Sequence, residues 1–224
     1  MFERYKERTY LSRVFLNMAW ALALTGLAAV GVASYPPFLY AVATNTLGVL
    51  ILVILEIVIV SVLSRRIFEL SVGAAYLGMI AFSVVNGVTL SVIFLVYTAR
   101  SIALVFFASA ALFLATAAWG YLTKRDLTAM GQFFVMALFG LILMSVLNLI
   151  FRSEAVMYLY SFVSVIIFSG LTAYDMQLLR RLYSYAEDYG EQSEKLAILG
   201  ALRLYLDLIN IFLSLLRLMG RRRQ

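Results

Sequence analysis

Cysteine and histidine are both absent from the 224 residues of this chain, and proline occurs only twice. Without cysteine there can be no disulfide, no thiol nucleophile and no thiolate metal site. Without histidine the usual switch near neutral pH and the commonest metal ligand are missing, so proton chemistry has to run on carboxylates. Charge is scarce as well, at 13% of residues, where a soluble domain carries about a quarter. What fills the gap is 64% apolar residues. One core cannot hide that excess, so lipid must act as the solvent. The length excludes a large multi-domain enzyme and allows about seven membrane helices of roughly 20 apolar residues each.

The spans read directly from the sequence. The first is predicted at 14–33, after Arg4, Lys6, Arg8 and Arg13, and is ended by a tight turn at Tyr35-Pro36-Pro37. A signal peptide has a shorter apolar region than this and a small-residue cleavage site, so the segment reads as a retained first helix. Further spans are predicted at 38–64, 71–97, 101–122, 129–151, 155–179 and 196–219. The stretch 183–195, with Glu187, Asp188, Glu191 and Glu194, reads as aqueous. Spans this long favour helices over a membrane barrel, whose strands need only about ten alternating residues. The predicted fold is all-α, a seven-helix bundle forming one transmembrane domain over residues 1–224.

Orientation follows from lysine and arginine in the short loops. Arg4, Lys6, Arg8, Arg13, Arg65, Arg66, Lys124, Arg125, Arg180, Arg181 and Lys195 fall on the amino-terminal side, against Arg100 and Arg152 opposite. The amino terminus is therefore expected in the cytoplasm. Seven crossings place Arg221, Arg222 and Arg223 outside, against the same rule. Either the tail is an exception or the last segment is re-entrant; its length favours seven crossings.

Charge inside a bilayer costs about 2.5–3.5 kcal/mol per residue at the centre on insertion scales, so each intramembrane acid calls for a reason. There are three: Glu56, Asp175 and Asp207. In the last span Arg203, Asp207, Asn210, Ser214 and Arg217 stand 4, 3, 4 and 3 residues apart, which aligns them along one helix face. Such a stripe is expected to point into the bundle and to make this helix the interior one. The alternatives are a helix lying on the membrane surface, or mutual neutralisation of Arg203 and Asp207. The latter leaves Asn210 and Ser214 unexplained. In the sixth span Ser161, Ser164, Thr172 and Asp175 share a face, a polar track leading to an acid. Asp175 lies five residues before Arg180, roughly 7 Å inside that boundary, and Asp207 lies twelve past Lys195, about 18 Å deep. The two acids become neighbours only if the last helix begins in the aqueous loop, near Glu191; otherwise Asp175 is an acid that reaches water.

If they meet, the two carboxylates cannot both ionise easily and share a proton. That gives a histidine-free chain a means of sensing pH. Loss of the shared proton leaves oxygens that suit an arginine or a hard cation such as calcium. Arg65 or Arg66, ending the second span, is a candidate latch. Glu56 lies nearly on the face of Asn45, and either lines the polar interior or is a protonated acid bonded to a neighbouring helix. Asn86 with Thr89, and Asn148, read as interhelical glue. No phosphate-binding loop, dinucleotide glycine pattern or metalloprotease box is present, and the net charge of +6 is spread over loops without aromatic interleaving. Neither catalysis nor nucleic-acid binding is expected.

The stretch Phe168-Ser169-Gly170-Leu171-Thr172-Ala173-Tyr174-Asp175-Met176-Gln177 resembles the signature of the Bax inhibitor-1 family. Ala201-Leu202-Arg203-Leu204-Tyr205-Leu206-Asp207-Leu208-Ile209-Asn210-Ile211-Phe212 is similar to that family's last helix, and Thr123-Lys124-Arg125-Asp126-Leu127 to its loop after the fourth. Met176 departs from the usual threonine after the signature aspartate. The resemblance implies seven helices with the last enclosed by the other six. It also implies a pH-sensitive calcium leak gated by an aspartate pair, Asp175 and Asp207, with Arg65 or Arg66 as latch. Calcium would then be the permeant or bound ion at that pair. Family members also suppress cell death in eukaryotes or modulate a membrane protease in bacteria, which implies a membrane-protein partner. The short amino terminus suggests a prokaryotic member in a plasma (inner) membrane. Besides the leak channel, a cation/proton antiporter and a membrane interaction protein fit the residues.

Overall fold

The helices start where short polar side chains can accept the free N–H groups of a first turn. Asn45 Oδ1 accepts from Gly48 N at 2.8 Å, Ser71 Oγ from Ala74 N at 3.2 Å and Thr98 Oγ1 from Ser101 N at 3.3 Å. The computed structural model describes residues 2–186 and 190–223, with the side chains of residues 2–6, 8, 149 and 184–186 left aside. Glu187 and Asp188, read above as aqueous, lie outside the described residues. The elements are α1 (Phe2–Ala33), α2 (Pro36–Thr44), α3 (Thr46–Arg66), α4 (Val72–Leu90), α5 (Ile93–Val96), α6 (Ala99–Leu122), α7 (Thr128–Phe151), α8 (Glu154–Ala186) and α9 (Gly190–Met219).

Among the described residues seven helical stretches are long and apolar enough to cross a membrane: Thr9–Ala33, Thr46–Arg66, Val72–Val96, Ala99–Leu122, Thr128–Asn148, Glu154–Tyr183 and Gly190–Met219. Large apolar side chains on several of them face outward, including Ile51, Phe107 (70% exposed) and Phe139. That exposure suits hydrocarbon and not water.

Three predicted boundaries change. The second span does not begin at residue 38, because Asn45 stops α2 and caps α3, while Pro36 and Pro37 open α2 at its first positions. This is where proline costs no hydrogen bond. The third span breaks after Leu90, where Ser91 Oγ bonds the Val88 carbonyl at 2.6 Å and the short α5 follows. The last helix begins at Gly190 and not at 196, so Glu191, Glu194 and Lys195 belong to its first turns and not to an aqueous loop.

The chain forms two compact units. One comprises Met1–Val96 with Arg181–Tyr205, the other Tyr97–Arg180 with Leu206–Gln224. In the first, α1 and α4 meet at Gly87, where a Cβ would stand 2.5 Å from the Thr25 carbonyl oxygen. In the second, α6 and α8 meet at Gly120, whose missing Cβ would collide with the backbone of Ala173. Only glycine permits approaches this close. Asn148, expected between helices, instead closes the end of α7: its Oδ1 accepts from Ser153 N at 3.0 Å beside Arg152, which turns the chain at φ 48°.

Candidate functional site

The second unit holds both acids of the predicted pair. Asp175 on α8 is 7% exposed and Asp207 on α9 is 5% exposed. The condition for their meeting, a last helix that starts near Glu191, is fulfilled by α9. The polar track of α8 is buried along its length, with Ser161, Ser164 and Thr172 all shielded. Ser161 Oγ donates to the Met157 carbonyl at 2.9 Å and Thr172 Oγ1 to Phe168 at 2.7 Å, so these two hydroxyls satisfy themselves within their own helix. Ser164 Oγ is buried and meets no partner among the described residues.

The stripe on α9 divides. Asp207 and Ser214 are buried and Asn210 is half-buried, its amide donating to the Leu206 carbonyl at 2.8 Å. Arg203 and Arg217, at the two ends, are exposed, with Arg217 over the Tyr160 ring at 5.5 Å. Arg203, Asn210 and Arg217 share the least buried face of the helix, with Asp207 and Ser214 at its edge, so the stripe does not point inward as a whole and spacing alone overstates how far it is enclosed. The buried residues of α9 lie mainly on its other faces, since Leu199, Leu206 and Leu213, which share the face of Arg203, Asn210 and Arg217, are only half-buried. In this helix 72% of an 18-residue apolar stretch is buried, against 6% of one in Thr46–Arg66.

Next to Asp175, α8 grips the loop after the fourth span. Gln177 Oε1 accepts from Leu127 N at 2.9 Å and its Nε2 donates to the Arg125 carbonyl at 2.8 Å. One turn on, Arg180 donates to the Tyr121 carbonyl at 2.7 Å and covers the Tyr121 ring at 4.8 Å. Sequence reading took Arg180 for a topology signal and gave Gln177 no role. A long-range clamp of this kind leaves no local signature.

The first unit holds the other predicted residues. Glu56 accepts from Thr89 Oγ1 at 2.7 Å and from Asn86 Nδ2 at 3.2 Å, so it is bonded to the neighbouring helix α4. The network continues inward. Tyr205 donates to Asn86 Oδ1 at 2.8 Å and lies 2.7 Å from Thr25 Oγ1, which bonds the Ser83 carbonyl at 2.9 Å. Tyr205 is wholly buried, edge-on to Phe82 at 5.4 Å. Arg65 and Arg66 are exposed at the end of α3, with Arg66 4.0 Å from Glu69. Lys195, unremarked as a site from sequence, is 7% exposed, its ammonium 3.1 Å from Glu191 and 3.5 Å from the Phe68 carbonyl. Beside it, Glu194 takes Arg13 at 3.2 Å and Tyr76 at 2.9 Å.

Among the described residues no group of three or more acidic side chains is gathered to hold a metal ion.

The family model of "Inhibitor of apoptosis-promoting Bax1" matches residues 7–224. The chain belongs to the Bax inhibitor-1 family. Its relatives include the inner membrane protein YbhL of Escherichia coli K12, 41% identical over 217 residues that cover 96% of this chain and 93% of that protein. An uncharacterized protein of Borreliella burgdorferi is 35% identical over 96% of this chain and 92% of its own length, and protein RP147 of Rickettsia prowazekii is 36% identical over 96% and 91%. This Bax inhibitor-1 family chain is an integral membrane protein, and the stretches that carried the resemblance lie in α8, in α9 and in the loop held by Gln177.

Proposed function

We propose that this protein is a pH-sensitive calcium leak channel of a bacterial inner membrane, with its amino terminus cytoplasmic. Asp175 and Asp207 are the proton-sharing gate, Arg65 or Arg66 the latch, and the last helix the enclosed one. The observation that carries the reading is the burial of two acids on α8 and α9 within one unit, at the end of a shielded hydroxyl track. Carboxylates are rare in such surroundings and mark ion or proton pathways. With one shared proton the pair bears a single negative charge; without it, two. The attraction for a guanidinium grows as pH rises, so the latch closes towards alkaline pH and calcium flux falls from pH 6 to pH 8.

Calcium entry into liposomes containing the purified protein, measured at pH 6, 7 and 8, tests this. Asp175→Asn and Asp207→Asn should each flatten the pH profile, and Arg65→Gln or Arg66→Gln should keep flux high at pH 8. No flux above empty liposomes at any pH would discard the channel and leave the family's interaction role. Uphill calcium movement driven by an imposed pH gradient would make the protein an exchanger instead.

A further inference from the structure

In the second unit the residues after α9 fold back onto the start of α6. Thr98 N donates to the Arg221 carbonyl at 3.2 Å, Arg221 N donates to Ser101 Oγ at 2.8 Å, and Tyr97 pairs with Arg222 as an antiparallel bridge. These contacts of Arg221 are made by its main chain, which fixes the residue in place and leaves its guanidinium for other use. Beside it opens a groove of about 650 Å³. Its polar end is formed by Arg100, Arg221, Thr98 and Ser101, and its apolar end by Leu104 and Ala108.

The polar end is rich in donors. Among the described residues neither Arg100 nor Arg221 meets a carboxylate. Thr98 Oγ1 and Ser101 Oγ each accept a main-chain N–H, which leaves their own protons to give. The first turn of the 24-residue α6 adds the positive end of its dipole. Arg100, Leu104 and Ala108 follow one another at four-residue spacing, so the groove leads from cations to apolar surface one and two turns along the same face. Leu104 is 61% exposed. A ligand that fills both ends carries an anion at one end and hydrocarbon at the other.

We propose that this groove binds an anionic phospholipid, its phosphate against Arg100 and Arg221 and an acyl chain along Leu104 and Ala108. The site also accounts for arginines on a side of the membrane where the loop rule expects few: their partner is a lipid head group. Lipid binding here does not depend on ion conduction.

The test is lipid binding to the purified full chain in detergent, followed by native mass spectrometry across a titration of phosphatidylglycerol, phosphatidylcholine or soluble glycerol phosphate. Phosphatidylglycerol should bind about tenfold or more tightly than phosphatidylcholine, a factor that corresponds to one charge-assisted contact. Arg100→Gln with Arg221→Gln should remove that preference, and Arg222→Gln, outside the groove, should keep it. The main-chain bonds of Arg221 survive the substitution; should the double variant nonetheless unfold, Arg100→Gln alone decides, by losing most of the preference. Equal binding of the two lipids, or an unchanged preference in the arginine variants, would overturn the site. Competition by glycerol phosphate as strong as by phosphatidylglycerol would overturn the lipid in favour of a soluble phosphate.

Discussion

The hydroxyl of Tyr205 joins three helices of the first unit, reaching Asn86 on α4 and Thr25 on α1 from its own position on α9. Removing it strands buried polar groups, at a cost of about 1–3 kcal/mol. Tyr205→Phe should therefore lower the unfolding midpoint of the purified protein by several degrees, whereas Tyr40→Phe, on an exposed ring, should leave it unchanged. Lys195 poses the opposite case. A buried ion pair is seldom worth more than an apolar side chain of similar volume, and its partner Glu191 is 65% exposed. Lys195→Met should hold stability within about 1 kcal/mol of the original, read by the same unfolding scan. Sequence alone placed Asp175, Asp207 and the α8 hydroxyls, since periodicity reports which face a residue occupies. It could not place Gln177 or the burial of Lys195, because the main-chain groups they reach, near Leu127 and at Phe68, lie about 50 and 127 positions away along the chain.

Among the elements, close helix approach is decided by single missing methyl groups. Gly120→Leu would drive a side chain into the backbone of Ala173, which cannot yield as a side chain would, and overpacking of this kind costs about 1–3 kcal/mol or more. At Gly140 on α7 a Cβ would meet nothing within 4 Å, and Gly140→Ala should be neutral or stabilise by up to about 1 kcal/mol. Thermal unfolding of the two variants side by side separates packing from helix propensity. The seven spans were legible because runs of apolar residues of membrane length are hard to mistake. The breaks at Asn45 and Ser91 were not, because mean apolarity passes smoothly across both. The Asn-Thr-Leu-Gly sequence at 45–48 does carry the cap signal in retrospect, whereas at Ser91 no proline or glycine marks the break.

For the whole molecule, an odd number of crossings sets the two ends of the chain on opposite sides. Main-chain bonds of Arg221 to Thr98 and Ser101 keep the tail at the end of the second unit where α6 begins, which favours a full crossing over a re-entrant last segment. The cysteine-free background makes the check direct. Single cysteines at Arg4 and Arg223 should react with an impermeant maleimide from opposite faces of oriented vesicles, and labelling from the same face would restore the re-entrant reading. Membership of the family was visible in three short stretches, yet the groove at Arg100 was not, since its two halves are separated by about 120 positions.

The polar residues of α9 and the arginines that follow it have a further consequence for biosynthesis. A segment with Arg203, Asp207, Asn210 and Arg217 is a poor substrate for insertion by itself, and with seven crossings Arg221 to Arg223 would have to be moved through the hydrocarbon layer. Partners for these groups lie on helices made earlier: Tyr160 for Arg217, Asn86 and Thr25 for Tyr205, Ser101 for the main chain of Arg221. Assembly thus acquires a direction, in which the ribosome delivers this polar-striped span only after the surfaces that receive it are in the membrane.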